Sequence, residues 1–324
     1  MRAVVVNRWM EPSEMGVSEA PQPEILPGTL GVEVRAAGVN FFDILMVKGQ
    51  YQVKPPFPFV PGAEISGVVR EVGEGVEDFS VGDRVFASSG LGGFAEYAVV
   101  GARGAYRLPE NMSFEEGAAF PIIYPTSYAG LVFRAELQPG DDLLVHAAAG
   151  GVGLAAVQIG KALGARVIAT AGGAEKLDVA RQQGADEAID YREEDFVARV
   201  MELTGGKGAD VIYDSVGGDI FDRSLKCIAW NGRLLVIGFA GGRIPEVKAN
   251  RILLKNIAVT GLHWGAHASK DPDKIPLTFD GLFELHEKGK IRPVIFQTYA
   301  LEQVPEALEA LASRKTYGKL IVTP

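Results

Sequence analysis

Residues His146 to Gly153 read HAAAGGVG, a cluster of small residues that opens an amphipathic run. Glycine removes Cβ atoms where a backbone must approach a phosphate, and the N–H groups that start a helix attract anions. The familiar G-x-G-x-x-G has alanine in its first place here, giving Ala147-x-x-Gly150-x-x-Gly153. Gly150 and Gly151 leave room for a pyrophosphate, and Gly153 lets the helix pack on its sheet. Val152, Ala155, Ala156, Ile159 and Leu163 then recur at helical spacing. Alanine at 147 is tolerable if its φ is negative.

The next strand ends in ATAGGAEK. A site for NAD places Asp or Glu about 20 residues beyond the first glycine, to hold the ribose hydroxyls. Here Gly172 and Gly173 leave open space and Lys176 follows, an arrangement suited to a 2′-phosphate. The segment favours NADPH. Glu175 keeps NAD open if it turns inward, and Glu175 and Lys176 also fit the start of a solvated helix.

The elements that must carry these residues follow from the pattern. MRAVVV, GTLGVEVRAAGV, AEISGVVREVG, GDRVFAS and FAEYAVV read as short strands with no long helix between them. Ser113 and Glu116 have the spacing of a capping box at the start of a helix. From about Gly140 the rhythm changes to DDLLVHAA, ARVIATA, DEAIDY, ADVIYDSV, GRLLVIGF and NIAVTGLHW, with helical segments between them. That alternation predicts an α/β fold with a doubly wound parallel sheet. The rhythm stops near Gly265, where two helices precede a last strand, GKLIVT.

A chain of 324 residues has room for two domains. Its net charge of −9 argues against a general affinity for nucleic acid or an anionic membrane. Cys227 is the only cysteine, which excludes an intramolecular disulfide and a multi-cysteine zinc site. The first apolar run is too brief for a signal peptide, and no stretch reaches the roughly 18 apolar residues of a membrane span. A cytoplasmic setting is expected.

GDDLLVHAAAGGVGLAAVQIGK, Gly140 to Lys161, resembles the signature of the quinone oxidoreductase (zeta-crystallin-like) branch of the medium-chain dehydrogenase/reductase superfamily. AAGVNFFDILMVKGQY, VPGAEISGVVREVGEGVEDFSVGDRV, GADVIYDSVGG and YGKLIVTP follow in that family's order, so the resemblance covers nearly the whole chain. It implies a β-rich GroES-like catalytic domain, residues 1–122 and 265–324, and a Rossmann-type NADP(H)-binding domain, residues 123–264. It also implies a homodimer paired through the edge strand NIAVTGLHW.

Carried over position by position, the resemblance makes Tyr51 the active-site tyrosine and sets Asn40, Asp43 and Thr126 around the nicotinamide. Tyr191 falls near the adenosine phosphate. Ile237, Gly238 and Phe239, with Leu262 and Trp264, wall the nicotinamide, and Lys319 reaches back to the cofactor. The zinc-binding branch has Cys and His where this chain has Asn40 and Ala63. His263 and His267 lie four apart without a third ligand, so no metal is expected.

Without a Lewis acid, hydride transfer needs an acceptor that is already electrophilic, such as a quinone or an alkene conjugated to a carbonyl. Tyr51, with an ordinary pKa of about 10, can donate a proton. The expected activity is zinc-independent reduction of planar quinones by NADPH. Reduction of enoyl thioesters or enones, and NADPH binding without catalysis, are the alternatives.

Overall fold

Runs of β-branched residues in the first third of the chain fold as strands. In the computed structural model, which describes Met1–Pro324, they are β1 (Arg2–Val4), β2 (Val17–Glu19), β3 (Thr29–Val39), β4 (Glu64–Val72), β5 (Arg84–Ser88), β6 (Tyr97–Gly101) and β7 (Ala105–Arg107). The short helix α1 (Phe41–Val47) follows β3, and α2 (Phe114–Ala118) closes the run. The Ser113 hydroxyl accepts the Glu116 N–H at 3.2 Å, while the Glu116 carboxylate accepts the Ser113 N–H at 2.9 Å. This reciprocal capping box starts α2 where the spacing predicts.

Strands and helices then alternate. After α3 (Ile123–Ala129), which runs on as a π-helical turn over Gly130–Arg134, come β8 (Asp142–Val145), α4 (Gly151–Ala162), β9 (Arg166–Ala171) and α5 (Ala174–Gln182). The series continues with β10 (Glu187–Asp190), α6 (Phe196–Leu203), β11 (Ala209–Asp214), α7 (Gly218–Cys227), β12 (Ile228–Val236), α8 (Ala249–Lys255) and β13 (Ala258–Gly261). All six strands are parallel, in the order β10-β9-β8-β11-β12-β13. Leu144, Ile168, Ile212 and Leu234 are fully buried between the sheet and Phe196 and Phe221 of its helices. The winding reverses between β8 and β11, and such sheets bind ligands outside their carboxyl ends at that point.

The chain forms two units, residues 1–122 with 293–324 and residues 123–292. The second unit therefore runs on to Arg292, past the change of rhythm near Gly265 that suggested its end. The reason is packing. After α9 (His267–Lys270), helix α10 (Lys274–Glu287) lies against α3, and Gly281 leaves the space that the Tyr128 hydroxyl fills. Beyond it, the buried Gln158 amide holds the Arg292 backbone, accepting its N–H at 3.0 Å and donating to its carbonyl at 2.9 Å.

The last segment returns to the first unit as β14 (Ile295–Ala300), α11 (Val304–Ala312) and β15 (Lys319–Thr323). It completes a sheet in the order β14-β15-β3-β4-β5-β7, with β6 also on β3. β15 lies antiparallel to β3, with Leu320 opposite Val39. That register brings Lys319 beside the end of β3. No helix is long and apolar enough to cross a membrane.

Candidate active site

The glycine loop lies between the end of β8 and α4. His146 is its buried anchor: Nδ1 is 2.9 Å from the Thr170 hydroxyl and Nε2 is 2.8 Å from Ser224 Oγ. Ser224 gives its own proton to the Ile220 carbonyl, so Nε2–H is the donor to Ser224. Burial holds the imidazole neutral, with its pKa lowered to about 3. Ala147 then takes φ +49, the left-handed region, where a negative φ was the condition for alanine. The conformation is fixed from outside: the Ala147 carbonyl accepts the Gly150 N–H at 2.9 Å, and the Ala148 N–H donates to Thr170 O at 3.0 Å. The tight turn survives because these bonds offset a strain that glycine would avoid.

Gly150 is the N-cap of α4 and offers no side-chain cap. The N–H groups of Gly151, Val152 and Gly153 belong to the first turn, which has no intrahelical acceptors. A Cβ on Gly153 would overlap the Ala147 carbonyl oxygen, so only glycine allows this approach. α3 is tied to the same turn, since Ser127 donates to the Val152 carbonyl at 2.9 Å. Thr126, the neighbouring residue, is half-buried in α3.

At the end of β9, Gly172 lies beneath two donors. A Cβ there would stand 2.6 Å from Arg192 Nε and 2.8 Å from the Tyr191 hydroxyl oxygen. Gly173 is pinned by its N–H to the Asp190 carboxylate at 2.9 Å. Lys176 is half-buried in the first turn of α5. Its ammonium pKa is lowered, first by burial and then by the Arg192 charge, against Glu175. A guanidinium and a phenol thus meet over one glycine, and the Lys176 ammonium feels the charge of that guanidinium. Arg192 was not singled out in the sequence, although it adjoins Tyr191 in DYREED. Only the turn after β10 shows that it folds back over Gly172.

The segment after β12 is held to the sheet by the Ile237 N–H, which donates to Asp214 O at 2.8 Å. Leu262 is held likewise, its N–H on Val236 O at 3.1 Å. Side chains of Leu235, Ile237 and Leu262 converge on Gly130, behind α3. Gly238 is half-buried and Phe239 is 38% exposed. Trp264 stacks on His267 at 5.0 Å, and His267 Nδ1 faces the carbonyls of His263 and Trp264. No group of three or more His, Cys, Asp or Glu side chains stands together as metal ligands.

In the first unit, Asn40, Asp43, Glu64 and Lys319 form a buried network. Lys319 Nζ donates to Glu64 Oε1 at 2.5 Å, Asn40 Oδ1 at 2.9 Å and Val39 O at 2.8 Å. All three of its protons are therefore committed within the unit. Asn40 Nδ2 donates to Glu64 Oε1 at 2.8 Å. The Asn40 N–H donates to Asp43 Oδ2 at 2.8 Å at the start of α1. Glu64 was missed in the sequence, where a glutamate opening a strand reads as a surface residue.

Asp43 is fully buried, and burial raises its pKa to about 7 against the opposing pull of the Asn40 N–H, Lys319 and the Gly62 N–H; Glu64 adds to the rise. Tyr51 stacks on Phe42 at 5.5 Å and is half-buried. Its pKa is raised by burial and by the Asp43 charge, so it remains a proton donor at neutral pH.

The loop with its open N–H groups, the close approach at Gly153 and the Arg192 guanidinium over Gly172 fit a phosphorylated dinucleotide. A six-stranded parallel sheet of this order and a β-rich GroES-like unit in one chain define the medium-chain dehydrogenase/reductase class. Residues 26–110 match the alcohol dehydrogenase GroES-like domain, and residues 151–278 match the zinc-binding dehydrogenase family. The chain is 45% identical to a quinone oxidoreductase-like protein 2 homolog of Nematostella vectensis, over 90% of its own length and 80% of that protein's. It is 40% identical to a quinone oxidoreductase of Pseudomonas aeruginosa, over 92% of each. The crystal structure of Escherichia coli quinone oxidoreductase complexed with NADPH shares 34% identity, with a TM-score of 0.91 over 100% of both chains. The chain belongs to the quinone oxidoreductase family of that superfamily.

Asp43 leaves a signature in stability. An unfolded aspartate titrates near 4. Between about 4 and about 7 the folded chain keeps a proton that the unfolded chain has lost, so Asp43 makes stability fall as pH rises, by roughly 1.4 kcal/mol per pH unit. The contribution is intact below that window and lost above it. Asp43→Asn removes this slope, so urea unfolding should show the variant gaining on the parent protein between about pH 4.5 and about pH 7.5. An equal difference at both pH values would count against a buried, protonated Asp43.

Proposed function

We propose that this chain is a zinc-independent, NADPH-dependent reductase of quinones and related planar conjugated carbonyl compounds. The observation that carries the reading is the Asn40–Glu64–Lys319 network. Asn40 replaces a metal-binding cysteine of the zinc branch, and its amide is committed to Glu64 and to the Lys319 ammonium. A fixed cation in contact with Asn40 repels a metal ion, and Ala63 offers no ligand atom. A site of this composition suits acceptors that carry their own electrophilic carbonyl.

The cofactor reading is supported by Arg192 and Tyr191 over Gly172, with Lys176 in the first turn of the helix that follows, a set that suits a 2′-phosphate in charge. Bound NADPH supplies a hydride. The first turn of α4, with Gly150, Gly151, Val152 and Gly153, holds the pyrophosphate against backbone N–H groups. Ile237, Gly238, Phe239, Leu262 and Trp264, with Thr126, orient the nicotinamide and exclude water. Tyr51 donates the proton or hydrogen bond that the reduced acceptor needs, and Asp43 sets the field in which it does so.

The open side of β13 ends the parallel sheet. Ala258 and Gly261 of that strand are exposed, and nearby Leu253 and Leu254 are 78% and 71% exposed. An unpaired edge beside exposed leucines invites a second copy, so the protein is read as a homodimer.

Three outcomes are expected. Lys176→Ala and Arg192→Ala should each raise KM for NADPH about tenfold, as loss of a charge-assisted bond does, with little change for NADH; a parallel loss for both cofactors would refute the 2′-phosphate pocket. In steady-state assays with quinones and enones, quinones should turn over faster, and Tyr51→Phe should lower kcat by about tenfold to a hundredfold. Turnover of enones alone would replace the quinone reading. Sedimentation should find a dimer that Leu253→Glu with Leu254→Glu converts to monomer, whereas a monomeric parent protein would dismiss the edge-strand pairing.

A further inference from the structure

We infer that Asp214 is a positioning residue for the loop that walls the nicotinamide, an inference that rests on the cofactor reading above. Asp214 ends β11, one strand from the glycine loop, and lies opposite Val236 of β12. It is 1% exposed. Its Oδ1 accepts the Val216 N–H at 2.8 Å and the Gly217 N–H at 3.0 Å, which closes the turn between β11 and α7.

That turn in turn holds the wall. The Ala240 N–H donates to Ser215 O at 3.1 Å, and the Gly241 N–H donates to Val216 O at 2.8 Å. The Asp214 carbonyl takes the Ile237 N–H at the start of the same segment. Gly217 sits at φ +71, and a Cβ there would come 2.9 Å from Phe239 Cδ1. The turn therefore contacts Ile237 to Gly241 at both ends and through the Phe239 ring. If the carboxyl is removed, two buried N–H groups lose their acceptor and the support behind Phe239 loosens.

Asp214 Oδ2 is buried and has no partner. Burial raises the Asp214 pKa against the two backbone bonds. A buried oxygen left unpaired is costly, and its persistence needs a reason. The constraint is geometric: at this position a short side chain with an acceptor is what reaches both N–H groups of the turn. Asparagine meets that requirement and alanine does not.

Two probes separate the halves of the cofactor site. Adenosine 2′,5′-bisphosphate has the adenine and 2′-phosphate but no nicotinamide, whereas NADPH has both. Calorimetric titration of Asp214→Ala should show NADPH weakened about tenfold and the bisphosphate unchanged within about twofold, with kcat reduced as well. Asp214→Asn, which keeps the acceptor, should restore NADPH binding and kcat. Gly217→Ala, which pushes on Phe239 from the other side, should repeat the selective loss. Unchanged NADPH binding in Asp214→Ala, or equal loss of both probes in both Ala variants, would overturn the positioning role. Should the parent protein bind neither probe, the cofactor reading itself falls. Should it bind both while the variants show no selective loss, only the role of Asp214 falls.

Discussion

Glu64 is a carboxylate with no exposure to water, and the candidate catalytic unit is organised around giving it partners. One oxygen takes the Lys319 ammonium and the Asn40 amide; the other takes the Ile122 N–H at 3.1 Å. These bonds join the end of β3, the start of β4, the last strand and the residue that closes the first unit's opening segment. A buried pair of this kind is not a large net source of stability, but removing one partner leaves a bare charge and costs about 3–5 kcal/mol. The network therefore works as a specification. It sets where Asn40 ends β3, and through the Asn40 N–H it sets how Asp43 enters α1.

The second unit meets a different constraint with the same means. Parallel strands end in backbone groups that face the ligand side, and each loop leaving them must be held by something buried. His146 does this for the glycine loop, Asp190 for Gly173 and Asp214 for the turn after β11. Each is a polar side chain at a strand end that bonds a nearby backbone or a neighbouring element. The carboxyl ends become an ordered surface because most of the polar groups behind it are paired, with Asp214 Oδ2 and Thr260 Oγ1 exceptions.

Much of this was legible in the residues. The capping box at Ser113, the alternation from Gly140 onward and the glycines at 150, 151 and 153 each depend on neighbours a few positions away, and local pattern carries them. The point at which the chain returns to the first unit has no local mark, because α10 has the amphipathic pattern of any surface helix. Its place was decided by Tyr128 and the Arg292 backbone, which no local pattern marks. Arg192 was missed for the same reason. A basic residue in a polar turn looks solvated until the turn folds over Gly172.

By itself the sequence determined the order of strands and helices, the loop that favours a dinucleotide and the absence of metal-binding side chains at Asn40 and Ala63. These follow from residue type and short-range spacing. Tertiary structure alone decided what the charged residues do. Lys319 lies 255 positions from Glu64 and 279 from Asn40, and only the register of β15 on β3 turns a terminal lysine into the buried partner of both. Ala147 shows the same division. Its identity reads as a tolerable substitute for glycine, while its left-handed φ is imposed by hydrogen bonds from Gly150 and by the neighbouring strand that holds Ala148.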